Sequence, residues 1–275
     1  MIKNKACIII PMYRSNISEF EQISMHQCFK ILGNHDIYYV IPKKLEVSIK
    51  ANEYVRNGKA SYKVFDDDFF VDIMAYNRLL KFTGFYKAFL AYEFMLIYQL
   101  DAFVFKDELL HWCNKGNDSI GAPLFEGLVS ARPDSPIIGQ GNGGFCLRNI
   151  HRCYEIVTQF KKLKFTRTFE DSDRPFYINL YRYIKHQLIY IYSGYPFQPI
   201  INEDLFWAEV IPENFPDFRL PSIEDAIKFS FEVNPDVLFE MNGNELPFGC
   251  HAWWKYNLDF WLPHINKFGY NIKAN

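Results

Sequence analysis

The sequence predicts an α/β fold, a single domain in which a mostly parallel central sheet is flanked by helices. Three observations carry this expectation. Short, nearly continuous apolar runs such as Cys7–Ile10 and Ile37–Ile41 lack the alternation of a half-exposed strand, so they read as strands buried on both faces. Segments with helical spacing separate these runs, and strands alternating with helices argue for a layered sheet. The chain has 275 residues, 49% hydrophobic and 23% charged, which suits one large domain and excludes disorder, collagen and coiled coil.

The elements follow in order. Cys7–Ile10 is the first buried strand, ended by Pro11-Met12-Tyr13-Arg14. Ser18 to Leu32 has apolar residues at helical spacing, and Ser18 followed by Glu21 fits a capping box. Ile37–Ile41 is a second strand stopped by Pro42, and Tyr62–Phe65 a third, followed by Asp66-Asp67-Asp68. Ile73 to Tyr92 reads as helical with a break near Gly84. Phe94–Tyr98 is a fourth strand running into Gln99-Leu100-Asp101. Ser119–Ala122 reads as a strand, Pro123–Gly141 as a Pro- and Gly-rich loop, and Asn149–Lys162 as a helix. Arg167–Arg174 reads as a polar loop, while Phe176–Tyr192 has mixed aromatic spacing. Ile200 and Ile201 read as extended chain leading into Asn202-Glu203-Asp204, and Ile223–Phe229 is a short helix.

Charge and composition narrow the function. The 30 Lys and Arg against 32 Asp and Glu leave a net charge of −2, which argues against a nucleic-acid surface. The 18% aromatic content supplies a large core and faces for stacking on bases or sugar rings. None of the six cysteines forms a C-x-x-C pair, so the expectation is buried, reduced thiols in a cytoplasmic protein. The apolar run at Ala6–Ile10 is too short for a signal peptide, and no stretch approaches the roughly 20 residues of a transmembrane helix.

Several short patterns could carry chemistry. Asp101 sits just past a buried strand, at the sheet edge where open α/β folds bind ligands; there it could hold Mg²⁺ or Mn²⁺ against a diphosphate, or simply cap the next turn. Gly141, Gly143 and Gly144 allow close backbone approach to a ligand, or make a tight turn before a strand. They match neither the Rossmann nor the Walker pattern. Glu203-Asp204 lies beside apolar bulk that suits a general base; the alternative is a solvated helix start capped by Asn202. On an extended segment the two acids point to opposite faces, so only one could face a substrate. His251 is either a ligand or a hydrogen-bonded core residue, the Asp66–Asp68 run a site or a solvated turn, and Arg78 a phosphate partner or a surface cation.

The order of these patterns is more informative than any one of them. Tyr98-Gln99-Leu100-Asp101-Ala102-Phe103, Gly141-Asn142-Gly143-Gly144-Phe145, Asn202-Glu203-Asp204 and Phe248-Gly249-Cys250-His251-Ala252-Trp253 resemble a bacterial family grouped with the GT-A-fold nucleotide-sugar glycosyltransferases. The resemblance covers nearly the whole chain. It implies a Rossmann-like nucleotide half over about 1–118 and an acceptor half over about 119–275. It implies sugar transfer from a nucleoside diphosphate sugar to a hydroxyl on a carbohydrate or glycan acceptor, in bacterial surface polysaccharide synthesis, in the cytoplasm or at the inner face of the membrane.

Carried over residue by residue, the resemblance sets the Asp-x-Asp motif on Gln99-Leu100-Asp101, with Asp101 as metal ligand and Gln99 near the ribose. A register shifted by two residues would make Asp101 the first acid and set Phe103 in the second place, losing the metal ligand. Pro11, Tyr13, Arg14 and Asp66 or Asp67 would line the nucleotide, Arg78 would face the phosphates, and Gly143 and Gly144 would border the donor sugar. His251 would complete the shell of Mn²⁺ or Mg²⁺, and the Glu203-Asp204 pair would supply the base of an inverting transfer, with Asp204 preferred. Inversion against retention stays open. The rival readings are a nucleotidyltransferase, whose glycine-rich basic loop after the first strand is absent here, and a non-catalytic carbohydrate-binding protein.

Overall fold

The structure is a computed structural model that describes residues 4–141, 143–159, 175–178, 180, 181, 184 and 202–273. Its frame is a six-stranded sheet of β1 (Asn4–Pro11), β2 (Asp36–Pro42), β3 (Ser61–Phe65), β4 (Tyr92–Tyr98), β6 (Ser119–Ile120) and β9 (Phe145–Asn149), in the order β3-β2-β1-β4-β9-β6. β1 pairs in parallel with both β2 and β4, and β3 in parallel with β2; β9 alone runs against its neighbours.

Both faces are covered, which is why the strands read as continuous apolar runs. Successive side chains point to opposite faces. Ile8 and Ile10 therefore join Cys28 and Leu32 of helix α1 (Glu19–Leu32) on one side, while Cys7 and Ile9 join Phe85, Tyr86, Ile150 and Cys153 on the other. The capping box at α1 is present: the Glu21 backbone N–H donates to Ser18 Oγ at 3.3 Å, and the Ser18 N–H to Glu21 Oε2 at 2.7 Å. All six cysteines are free and buried. Among the described residues no helix is long and apolar enough to cross a membrane.

A second sheet has three short strands in the order β10 (Ser230–Phe231), β11 (Gly249–Cys250) and β5 (Phe103–Val104). β10 runs parallel and β5 antiparallel to β11. A third core of Phe103, Phe231, Trp253 and Trp261 packs there.

Four local expectations need correction. The 73–92 segment is two short helices, Ile73–Leu79 and Thr83–Lys87, so the break falls before Gly84, and Tyr92 already belongs to β4. Pro123–Gly141 is not only a loop, because β7 (Pro123–Phe125) and β8 (Ile137–Gln140) pair as a hairpin. The strand at 119–122 ends at Ile120. Glu203 opens a helix that continues through a π-helical turn, Phe206–Val210, to Asn214. On a helix Glu203 and Asp204 stand about 100° apart, not on opposite faces. The helix after β9 is described as Ile150–Gln159. Ile200, Ile201, Arg167–Arg174 and most of Phe176–Tyr192 lie outside the described residues.

Candidate functional site

The connection from β1 leads to β2 on one side, and β4 lies on the other, so the strand order reverses between β1 and β4. Open α/β sheets bind ligands in the crevice outside the carboxyl ends at such a switch point. The chain leaves β1 at Pro11-Met12-Tyr13-Arg14 and leaves β4 at Gln99-Leu100-Asp101. These segments line a cavity of about 550 Å³, closed on its other sides by Phe70–Ile73, Tyr76, Glu21 and Trp254.

Sheet register assembles the next part. Cys250 of β11 pairs with Phe103 of β5 and with Phe231 of β10. One residue further, His251 comes beside Asp101 and Glu232. His251 Nδ1 is 2.9 Å from Glu232 Oε1, and Nε2 is 3.0 Å from Asp101 Oδ1. The second contact is an ion-pair distance without hydrogen-bond alignment, so among the described residues buried Nε2 has no hydrogen-bond partner. Burial pushes the imidazole pKa down, but the charges of Asp101 and Glu232 outweigh it and hold it well above the ordinary histidine value. Burial pushes Asp101 up, and the His251 charge outweighs it, leaving the carboxyl below its ordinary range.

Gly144 explains why a glycine stands there. A Cβ on it would fall 1.9 Å from His251 Nε2. Its carbonyl accepts from the Gln99 N–H at 2.8 Å, which ties the glycine segment to the end of β4. A Cβ on Gly143 would fall 1.8 Å from Glu203 Oε1. The glycine motif is thus the floor against which His251 and Glu203 rest.

The acid pair divides by environment. Glu203 is 2% exposed and ion-paired with Arg148 of β9, itself 1% exposed. Arg148 also donates to Tyr86 Oη at 3.2 Å, and its guanidinium lies 5.5 Å from the Trp207 ring centroid. The Glu203 N–H donates to Asn77 Oδ1 at 3.1 Å. Asp204 keeps part of its surface open. Burial, with the charges of Glu203 and Glu232 added, raises its carboxyl to about 7. A carboxylate poised there is suited to taking a proton near neutral pH.

Of the other sequence-predicted residues, Pro11, Tyr13, Arg14, Gln99 and Asp101 line the cavity. Arg14 is held by Glu21, its Nη2 at 2.8 Å from both carboxylate oxygens. Asp66, Asp67 and Arg78 are not among the lining residues, and neither are Gly143, Gly144, Glu203, Asp204 and His251, of which His251 reaches the cavity wall through its contact with Asp101. Asp66 pairs with Lys43, Asp67 accepts from the Lys44 N–H at 3.1 Å, and Arg78 donates to the Asp68 carbonyl at 3.3 Å. Sequence reasoning missed Arg148, Glu232 and the buried hydroxyl of Tyr76. The first two carried a signal: a charge directly after the apolar run Phe145–Leu147, or inside Phe229–Val233, needs a partner once buried.

Among the described residues no group of three or more His, Cys, Asp and Glu side chains is placed to hold a metal by itself. Mg²⁺ and Mn²⁺ sites shared with phosphates need only one or two protein ligands. Asp101 and the adjoining Nε2 of His251, which makes no hydrogen bond among the described residues, fit that requirement.

No curated protein matches the chain. The galactosyltransferase LgtC, solved in complex with donor and acceptor sugar analogs, shares 10% identity, with 98% of this chain and 97% of that chain covered and a TM-score of 0.52. Mouse xyloside xylosyltransferase 1 in its apo form shares 12% identity over 90% of this chain and 97% of that chain, with a TM-score of 0.48. The likeness to LgtC at this identity is one of fold, the GT-A fold of glycosyltransferases. The chain belongs to the family described as "Protein of unknown function (DUF5672)", which matches residues 59–251.

Proposed function

We propose that the protein is a glycosyltransferase that moves a sugar from a nucleoside diphosphate sugar to a hydroxyl of a carbohydrate or glycan acceptor, with inversion. One observation carries the reading. Asp101 leaves the end of β4 at the switch-point cavity with His251 Nε2 beside it, on a GT-A fold.

The cavity wall supports a cation-assisted donor site. Its charged lining is Arg14 against Glu21, Asp72 and Asp101, and Arg14 is already paired with Glu21. A diphosphate entering there would meet net negative charge without a counter-ion. Mn²⁺ or Mg²⁺ held by Asp101 and His251 would supply that positive charge to the diphosphate. The Gln99 amide suits a ribose hydroxyl, and the Tyr13 and Trp254 rings offer faces for a base or sugar. Asp204 would take the acceptor proton as the new glycosidic bond forms and the bond to the diphosphate breaks. Glu203, locked on Arg148, would hold the start of its helix rather than move a proton. The setting we attach to this reading is bacterial surface polysaccharide synthesis in the cytoplasm.

The test is a thermal-shift screen of the full chain against nucleoside diphosphate sugars, with and without Mn²⁺, for the wild type and Asp101→Ala. Native-state ligands raise the melting temperature with the logarithm of concentration over Kd. A shift that needs Mn²⁺ and disappears in Asp101→Ala is expected. No shift with any nucleoside diphosphate sugar would refute the reading.

A further inference from the structure

We infer that Glu232 is the positioning residue of this site: by accepting the Nδ1–H of His251 it turns Nε2 toward Asp101 and keeps it available to a divalent cation. The inference rests on the cation reading above and extends it to a residue outside the sequence motifs.

The local geometry is built in. β10 lies parallel to β11 with Phe231 opposite Cys250, so the next residues, Glu232 and His251, are brought side by side. The His251 N–H donates to the Phe231 carbonyl at 2.9 Å, which fixes the backbone at that step. The Glu232 and His251 side chains are only 12% and 13% exposed, so neither has freedom to turn into solvent. Glu232 Oε1 then meets Nδ1 at 2.9 Å. Gly144 crowds the ring from the Nε2 side, where no Cβ would fit.

The chemistry follows from imidazole. A neutral ring has one N–H, and the nitrogen without it carries the lone pair that binds a metal. A carboxylate on Nδ1 keeps a proton there, so a cation that displaces the other N–H takes Nε2 as the donor atom.

The experiment measures Mn²⁺ binding to the full chain from the electron paramagnetic resonance signal of free Mn²⁺, for the wild type, Glu232→Ala and Glu232→Gln. Circular dichroism confirms that each variant is folded. Loss of an outer-shell partner typically weakens metal affinity about 10–100-fold, and that is the expected effect of Glu232→Ala. Glu232→Gln keeps an oxygen that can accept from Nδ1–H, so it should retain more affinity than Glu232→Ala. Unchanged Mn²⁺ affinity in folded Glu232→Ala would overturn the positioning role while leaving the cation site standing. A wild type that binds no Mn²⁺ would overturn the cation site, and the role of Glu232 with it. Equal losses in both variants would also overturn it, since then the charge matters and not the hydrogen bond that orients the ring.

Discussion

Replacing Asp204 by Asn should make the protein more stable and nearly inactive at the same time. The Asp204 carboxyl stands at about 7 against an ordinary 3.8, first because of burial and then because of the Glu203 charge. Between those two pH values the folded state holds a proton that the unfolded chain has released. Stability therefore falls as pH rises from about 4 to about 7, and the penalty is fully present above 7. At 1.36 kcal/mol per pH unit the gap sets a ceiling of about 4 kcal/mol. Water reaching the partly open carboxylate reduces this to about 1–3 kcal/mol. Asn cannot ionise, so urea denaturation at pH 8 should show Asp204→Asn more stable than the wild type by that amount, and at pH 4 the two should agree. Asn also cannot accept the acceptor proton, so transfer should slow by about 10²–10⁴-fold with donor affinity retained. In the wild type, the transfer rate should rise with pH through about 7. A variant less stable than the wild type at pH 8, or one that transfers sugar at a near-normal rate, would refute the reasoning.

Four further outcomes follow from the same geometry. Arg148→Met strands the buried Glu203 charge and should cost about 3–5 kcal/mol in denaturant titrations, much of it recovered when Glu203→Met is added. If the double variant is no more stable than Arg148→Met alone, the pair is not the cause. Gly144→Ala places a Cβ 1.9 Å from His251 Nε2, so it should displace the ring and weaken Mn²⁺-dependent donor binding; unchanged binding would contradict the close approach. Asp66→Ala, outside the cavity and paired with Lys43, should leave donor affinity unaltered in calorimetry, and a clear loss would return Asp66 to the nucleotide site. Tyr76→Phe removes a buried hydroxyl that has no hydrogen-bond partner among the described residues, so its melting temperature without ligand should not fall; a drop of several degrees would reveal a partner.

The sequence by itself determined the parallel strands of the main sheet and where they end. Ile8–Ile10 and Phe94–Ile97 are buried on both faces, and that requirement is written into every residue of the run. The Ser18–Glu21 box depends on atoms three residues apart and so was legible locally. The position of Asp101 also followed, because the end of an apolar run marks the end of a buried strand. Other features needed the folded chain. The β7–β8 hairpin was hidden by the Pro- and Gly-rich chain between its strands, since its pairing is a tertiary fact. The helix start at Glu203 could not be told from a strand, because Glu203 meets Arg148 of β9 only in the folded chain and their burial replaces local propensity. The grouping of Asp101, His251 and Glu232 was decided by the register of β5, β11 and β10. Asp101 and His251 are far apart in the chain, and only the hydrogen bonds of that small sheet bring their side chains to one point.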